Sequence, residues 1–335
     1  MKVEPLPGSA FGAIVTGFDP AAPPQVARLN DAWAQHGLLI FRGLGLLKPH
    51  ELVALSASFG EVEDMVETKI YAGAGEESKW VHPEDCHIFL VHGSDFSRGG
   101  AGEQPDAVAM AALSYPMRKG WHTDQSYRSP PPDGSLLYCV APAAEGQADT
   151  FFADCAAAHD ALPSAEQEAL AQYEVIHATF ELGRSREAVR ANPGVGAVPE
   201  GMEARDKAGM QPQRHPLVRV HPVSGRRALY LGSAGQADFL DGPVVGLEPG
   251  PDGAGWQLLD RLTAHVTQPQ FVYRHTWQQG DCVLYDNRRL VHAASWFDKR
   301  QQRREMWRTT VRGNPGKYYA GREPSWLVTN LIANL

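Results

Sequence analysis

Apolar residues recur at helical spacing in only a few stretches of the chain. In "PPQVARLNDAWAQHG" (23–37), Val26, Leu29 and Trp33 share one face and Gly37 ends the run, which predicts an early helix. "KPHELVALSASFG" (48–60) predicts a second short helix. "SAEQEALAQ" (164–172) predicts another, with Ser164 at the N-cap and Gln167 completing a capping box. "GWQLLDRLTAHVTQ" (255–268) predicts the last, with Trp256, Leu259, Leu262 and Val266 on one side.

Elsewhere the pattern is that of strands. "LLIFRG" (38–43) reads as a buried strand, and "CHIFLVH" (86–92), 121–127, 135–141, 149–153 and "YEVIHATF" (173–180) as further ones. "PLVRVHPVSGRRALYLG" (216–232) reads as two strands about a Pro-Val-Ser-Gly turn. Beyond the last helix, strand follows strand: 271–277, 282–286, 290–295 and 304–313. Two stretches break the rhythm. Residues 93–120 carry Gly and Pro with little periodicity and read as a long lid-like loop; 182–213 are polar and read as a surface insertion. The strand–helix alternation of a parallel α/β sheet is absent. Many short strands, with helices early and in the middle, predict a mainly β sandwich or jelly roll with flanking helices. No internal repeat or low-complexity linker divides it, so 1–335 reads as a single domain.

Composition narrows the function. A length of 335 residues, 43% hydrophobic and 21% charged, suits a folded soluble protein. A net charge of −8 provides no global positive field for nucleic acid or an anionic membrane. Any anionic ligand must therefore meet local cations. Cys86, Cys139, Cys155 and Cys282 show no paired spacing, which favours free thiols in a reducing cytoplasm over a disulfide framework or structural zinc. No apolar run is long enough for a signal peptide or a spanning helix.

The candidate chemistry starts at "WHTDQSY" (121–127). On a strand, His122 and Asp124 would point to one face, with Thr123 opposite. A neutral imidazole and a carboxylate are two thirds of the facial triad that holds non-heme Fe(II). Chance alone gives about one or two His-x-acid triplets in a chain with this many of each, so the pair means little by itself. His292 in "YDNRRLVHAASW" is the best third ligand. Shortly after it, "QQRREMWRTTVRG" sets Arg304, Met306 and Arg308 on one face of a strand. Two arginines facing a metal cavity are costly unless they bind carboxylates. Iron beside an arginine-held diacid describes 2-oxoglutarate. The same His/Asp/His set could also serve a zinc hydrolase, or remain as a vestige in a binding protein. His82, in a second His-x-Glu triplet, has no downstream constellation and reads as structural. Tyr127 and Tyr285 flank the metal motifs and read first as buried aromatic packing, with a place in the pocket wall, against the substrate, as the alternative.

In these motifs and their order the chain resembles the taurine dioxygenase and phenoxyacetate dioxygenase family of Fe(II)/2-oxoglutarate-dependent oxygenases. The resemblance runs from "GSAFGAIVTGFD" (8–19) through "WHTDQSY", "PAAEGQADTFFADCAAAHDALP" (142–163) and "GDCVLYDNRRLVHAAS" (280–295) to "RREMWR" (303–308). It implies a double-stranded β-helix of the cupin-like jelly-roll kind, with His122, Asp124 and His292 as iron ligands. It implies Thr150 and Arg304 as partners of the far carboxylate of 2-oxoglutarate, and Arg308 as the grip on an anionic substrate. The gap from His292 to the arginine pair is slightly longer than the family's, which keeps Arg303 open as an alternative to Arg304. "EGQADT" replaces a tighter Gly-Gly-Asp-Thr before Thr150. The cofactors implied are Fe(II), 2-oxoglutarate and O2, with a small, anionic organic substrate, succinate and CO2 as products, and a homodimer or homotetramer. Related halogenases lack the carboxylate, so Asp124 implies hydroxylation.

Overall fold

The computed structural model describes residues 1–19, 23–64, 80–91, 120–128, 131–178, 184–191, 212–297 and 303–312. Two β-sheets sandwich an apolar layer. The larger holds, in spatial order, β1 (Lys2–Pro5), β2 (Ala13–Thr16), β3 (Leu38–Phe41), β14 (Cys282–Asp286), β7 (Gly134–Ala141), β16 (Glu305–Arg312), β6 (Asp85–Val91) and β5 (Val81–His82). β4 (Glu61–Val62) also pairs with β16. The smaller sheet is β13 (Val272–His275), β8 (Thr150–Asp154) and β15 (Leu290–Ala294). Within these two sheets only β2 and β3 run parallel. Two short ribbons complete the strands: β9 (Glu174–His177) with β10 (Gln213–Pro216), and β11 (Val218–Val220) with β12 (Arg227–Leu229).

The central strands read as unbroken apolar runs because both of their faces are covered. In β7, Leu137 and Cys139 face the inter-sheet layer, where they meet Phe152 and Leu290 of the smaller sheet. Their neighbours Leu136 and Tyr138 face outward, against Trp33 of α1 (Pro23–His36) and Leu52 of α2 (Pro49–Ala57). The outer face of the smaller sheet, through Phe151, Ala153 and Val291, packs on α3 (Cys155–Asp160) and α6 (Ala254–Val266). A one-residue slip of β7 would exchange its two faces, so this packing fixes the register. Each fully buried Leu in these layers contributes about 1.5–3 kcal/mol. Gly134 opens β7 where α1 crosses; a Cβ there would lie 2.4 Å from a Trp33 ring carbon and 2.9 Å from the Tyr285 carbonyl oxygen.

The expected helices and most expected strands are present, with four differences. Residues 121–127 form no strand: His122 makes an isolated bridge and the backbone then turns. α4 (Ser164–Leu170) begins at Ser164 itself, behind Pro163, so there is no capping box; Gln167 Nε2 instead donates to the Leu162 carbonyl at 2.9 Å. α3 follows β8 with no loop, its N-terminus capped by the Asp154 carboxylate, and the sequence reading had not marked it. Of 182–213, the described part forms α5 (Arg186–Ala191) and the start of β10. The lid-like stretch 93–120 lies outside the described residues except for Gly120. No described helix is long and apolar enough to cross a membrane.

Candidate active site

His122 and His292 meet as an antiparallel hydrogen-bonded pair. His122 N donates to His292 O at 3.0 Å and His292 N to His122 O at 2.7 Å. Directly opposite residues carry their side chains on the same side, and the two imidazole centroids lie 4.3 Å apart. His122 Nδ1 donates to the Gly120 carbonyl at 2.8 Å, which leaves Nε2 with its lone pair. This is the tautomer a metal ligand needs.

Asp124 reaches the same point by a turn, not by strand alternation. The turn is held from two sides. Thr123 Oγ1 donates to the Asn287 carbonyl at 2.9 Å. Gln236 Nε2 donates to the Thr123 carbonyl at 2.9 Å, and His215 Nε2 donates to the Ser126 carbonyl at 2.6 Å. Gln125, next in line, sits at φ +46°, a left-handed conformation that non-glycine residues seldom adopt. Such strain persists only where surrounding contacts over-determine it.

The two carboxylate oxygens of Asp124 have separate tasks. Oδ2 accepts from Tyr285 Oη at 2.6 Å and from Ser135 Oγ at 2.8 Å, and Asn287 Nδ2 donates in turn to Ser135 Oγ at 3.0 Å. Oδ1 lies 3.7 Å from His122 Nε2, 3.8 Å from His292 Nε2 and 3.0 Å from Arg308 Nη1. One donor atom from each of His122, Asp124 and His292 lies within 4.8 Å of the others. Burial works to raise the Asp124 pKa, but Arg308 and the two imidazoles outweigh it and hold the carboxyl well below its usual range. Burial, reinforced by His122, drives the His292 pKa down to about 3, so that imidazole is neutral at pH 7. A neutral His292, a His122 whose Nδ1 is committed to Gly120, and a carboxylate that turns Oδ1 toward both imidazoles fit a facial Fe(II) site.

Thr150 opens β8 opposite His275 and Ala294 and is 2% exposed. Its Oγ1 accepts a 2.9 Å hydrogen bond from Trp277 Nε1. An indole can only donate, so the threonine keeps its own hydrogen for another acceptor. The two candidate arginines part company here. Arg303 is exposed and pairs with Glu305. Arg304 is 7% exposed and lies beside Cys139 and over the Phe297 ring. No carboxylate pairs with Arg304 among the described residues, and burial pushes its pKa down to about 10. Arg308, opposite Leu137 and Phe89, lies against Asp124 with its guanidinium 4.8 Å from the Phe89 ring centroid. Tyr127 is half-buried in the turn after Asp124.

Sequence reasoning missed the supporting cast. Ser135, Gln236, His215 and Trp277 carry no motif, Asn287 stands in the His292 motif with no role assigned to it, and Tyr285 reads mainly as packing. The one available signal was "YDN" (285–287) standing just upstream of His292: Tyr285 and Asn287, two apart in chain, both serve Asp124. The His82 ring lies 4.7 Å from that of Trp307.

Comparison with known proteins agrees with this geometry. The chain is 29% identical over 310 residues to pentalenolactone F synthase of Streptomyces arenae, covering 90% of this chain and 93% of that one. It is 32% identical over 291 residues to the alpha-ketoglutarate-dependent 2,4-dichlorophenoxyacetate dioxygenase of Cupriavidus pinatubonensis, covering 86% and 87%. The crystal structure of AAD-2 in complex with Mn(II) and N-oxalylglycine superposes with a TM-score of 0.66 at 25% identity, covering 93% of this chain and 98% of that one. These relatives leave the zinc hydrolase reading without support. Residues 2–310 match the family model described as taurine catabolism dioxygenase TauD, TfdA family, and the chain belongs to that family.

Proposed function

We propose that this protein is an Fe(II)- and 2-oxoglutarate-dependent dioxygenase in which His122, Asp124 and His292 hold the iron. Arg304 and Thr150 take the far carboxylate of 2-oxoglutarate. The observation that carries the reading is a convergent His/Asp/His cluster in the same fold as a buried guanidinium that has no carboxylate partner among the described residues. A guanidinium buried alone costs several kcal/mol, and a carboxylate ligand offsets that cost with a bidentate pair. Thr150, with one lone pair occupied by Trp277, offers its hydrogen to the same carboxylate.

Bound Fe(II) supplies the redox chemistry: R–H, 2-oxoglutarate and O2 become R–OH, succinate and CO2. The protein's own part is to bind and orient. Tyr285 and Ser135 hold Asp124 Oδ2, so Asp124 presents Oδ1 alone. The His122–His292 backbone pair fixes both imidazoles at one spacing. The substrate in this reading is a small organic acid, in line with the phenoxyacetate of the Cupriavidus relative. Arg308 shares its charge between Asp124 and that acid group, and Tyr127 adds a wall. The same reading takes 1–335 as one dioxygenase domain, a homodimer or homotetramer, in a cytoplasm whose reducing conditions suit four free cysteines.

The test is an anaerobic titration with Fe(II) and 2-oxoglutarate, followed by the visible charge-transfer absorption of the iron–keto acid chelate. The protein should develop that band and then release succinate when O2 and small aromatic or aliphatic acids are added. His122→Ala and His292→Ala should abolish both. Full activity in either variant removes that residue from the ligand set, and turnover without 2-oxoglutarate defeats the reading.

A further inference from the structure

A second convergence of metal-binding atoms lies away from the triad. Asp64 follows β4 by two residues; Cys86 and His87 lie at the start of β6, an outer strand of the large sheet. His87 Nε2 is 3.3 Å from Asp64 Oδ1, and Cys86 Sγ is 3.6 Å from the same oxygen. One donor atom from each of the three residues lies within 4.8 Å of the others. Zinc bonds of about 2.0–2.3 Å at near-tetrahedral angles put an N···O edge at roughly 3.3 Å and an S···O edge at roughly 3.5 Å. The two spacings to Asp64 Oδ1 therefore match two edges of such a tetrahedron, and Cys86 Sγ lies 3.9 Å from the near nitrogen of the His87 ring, Nδ1.

The surroundings favour ligation. Asp85 Oδ1 accepts from His87 Nδ1 at 2.7 Å and from His87 N at 3.0 Å. A carboxylate on one ring nitrogen fixes the tautomer and turns the other nitrogen's lone pair outward, as in carboxylate–histidine–zinc arrangements. That outward nitrogen is Nε2, the atom nearest Asp64. Cys86 is exposed, whereas Cys139, Cys155 and Cys282 are buried, so it alone of the four meets a cation from solvent. A thiolate, an imidazole and a carboxylate form a donor set for a borderline-soft divalent ion.

We propose that Asp64, Cys86 and His87 form a three-ligand site for a Zn2+-class cation that clips the chain beyond β4 to β6, with water as fourth ligand. The clip matters for the sheet. β6 carries Phe89, which lies under the Arg308 guanidinium, so a tie at its first residues braces that contact. The competing account is a protonated His87 held between Asp64 and Asp85 with no metal.

Cobalt(II) separates the two, because only a thiolate ligand gives an intense near-ultraviolet sulfur-to-cobalt absorption. The triad has no cysteine, so the test is independent of the oxygenase reading and needs no turnover. The protein is first loaded anaerobically with Fe(II) and 2-oxoglutarate, then titrated with Co2+. The expected result is one equivalent of thiolate band, absent in Cys86→Ser. Asp85→Asn, which removes only the outer carboxylate, should weaken Co2+ binding by about 10–100-fold while keeping the band. No thiolate band, or a band that survives in Cys86→Ser, overturns the proposal. So does a His87 that NMR shows still protonated with Co2+ in excess.

Discussion

The Asp124 turn and the Arg304 pocket lie in one fold but are built on opposite plans. Around Asp124 the carboxylate receives Tyr285, Ser135 and Arg308, and the backbone beside it receives Gln236 and His215. Around Arg304 there is a ring, a thiol and no counter-charge among the described residues. In the first region the carboxylate is already held from three sides. The second carries a burial cost that no carboxylate among the described residues offsets. The difference teaches which part of the proposed site is scaffold and which is receptor: the candidate iron ligands are held by their neighbours, and on the proposed reading the diacid supplies the charge that Arg304 lacks among the described residues.

The sharpest way to break the contrast is to remove the receptor charge. Arg304→Met keeps the volume and deletes the guanidinium. Losing one side of a buried charge pair costs about 2–5 kcal/mol, so KM for 2-oxoglutarate should rise on the order of a hundredfold or more. Arg303→Met should leave KM unchanged, because that side chain faces solvent beside Glu305. Steady-state succinate release against 2-oxoglutarate concentration measures both. Equal effects from the two variants would return Arg303 to contention.

Acid should strike the turn and spare the pocket. His292 and His215 both have pKa values driven down to about 3, chiefly by burial. Unfolding returns them to about 6.5, so between roughly pH 3 and 6.5 the unfolded state binds more protons. Stability is therefore complete above about pH 6.5 and falls as pH drops below it. For the metal-free protein the loss between pH 6.5 and 5 should be roughly 2–4 kcal/mol from these two groups. Urea unfolding at a series of pH values measures it, and His215→Asn should flatten the slope by about half. An unchanged midpoint down to pH 5 would mean that the imidazoles titrate freely in the folded protein.

How much of this was legible beforehand follows the same division. The convergence of His122, Asp124 and His292 could be read because metal chemistry demands particular residue types. Between Arg303 and Arg304 the sequence offers no distinction; the structure buries Arg304 and leaves Arg303 exposed. The strand assigned to 121–127 was wrong because a triplet's spacing cannot distinguish an extended segment from a turn pinned by distant side chains. Asn287 and Gln236 do that pinning from 163 and 113 residues away, and no local pattern records such contacts. The two-faced burial of β7 and β14 was visible as apolar runs, whereas the order of strands across the sheet was not.

Tyr285→Phe tests whether the turn needs all of its supports. The variant removes one hydroxyl from Asp124 Oδ2 and leaves the ring in the inter-sheet layer. Hydrogen bonds to charged groups contribute about 1.5–3 kcal/mol, and outer partners of metal ligands typically matter 10–100-fold in affinity. Fe(II) affinity, read from the chelate band, should fall by that factor while KM for 2-oxoglutarate at saturating iron stays put. A change in KM alone would assign Tyr285 to the pocket instead.

Trp277→Phe is the smallest and most discriminating change. Its indole N–H donates to Thr150 Oγ1, and its ring packs in the inter-sheet layer with Phe152 and Met306. Phenylalanine keeps most of that packing and loses only the donor. Thr150 can then turn its hydroxyl freely, and some of its orientations no longer present hydrogen to the cosubstrate carboxylate. One neutral hydrogen bond is worth about 1 kcal/mol, so KM for 2-oxoglutarate should rise roughly fivefold with kcat and Fe(II) affinity unchanged. Because Thr150 is the proposed go-between, Thr150→Val should produce an equal or larger rise, and the double variant should add little to it. Additive effects would place Trp277 in direct contact with the ligand; no effect would leave the 2.9 Å bond as packing geometry without a share in binding.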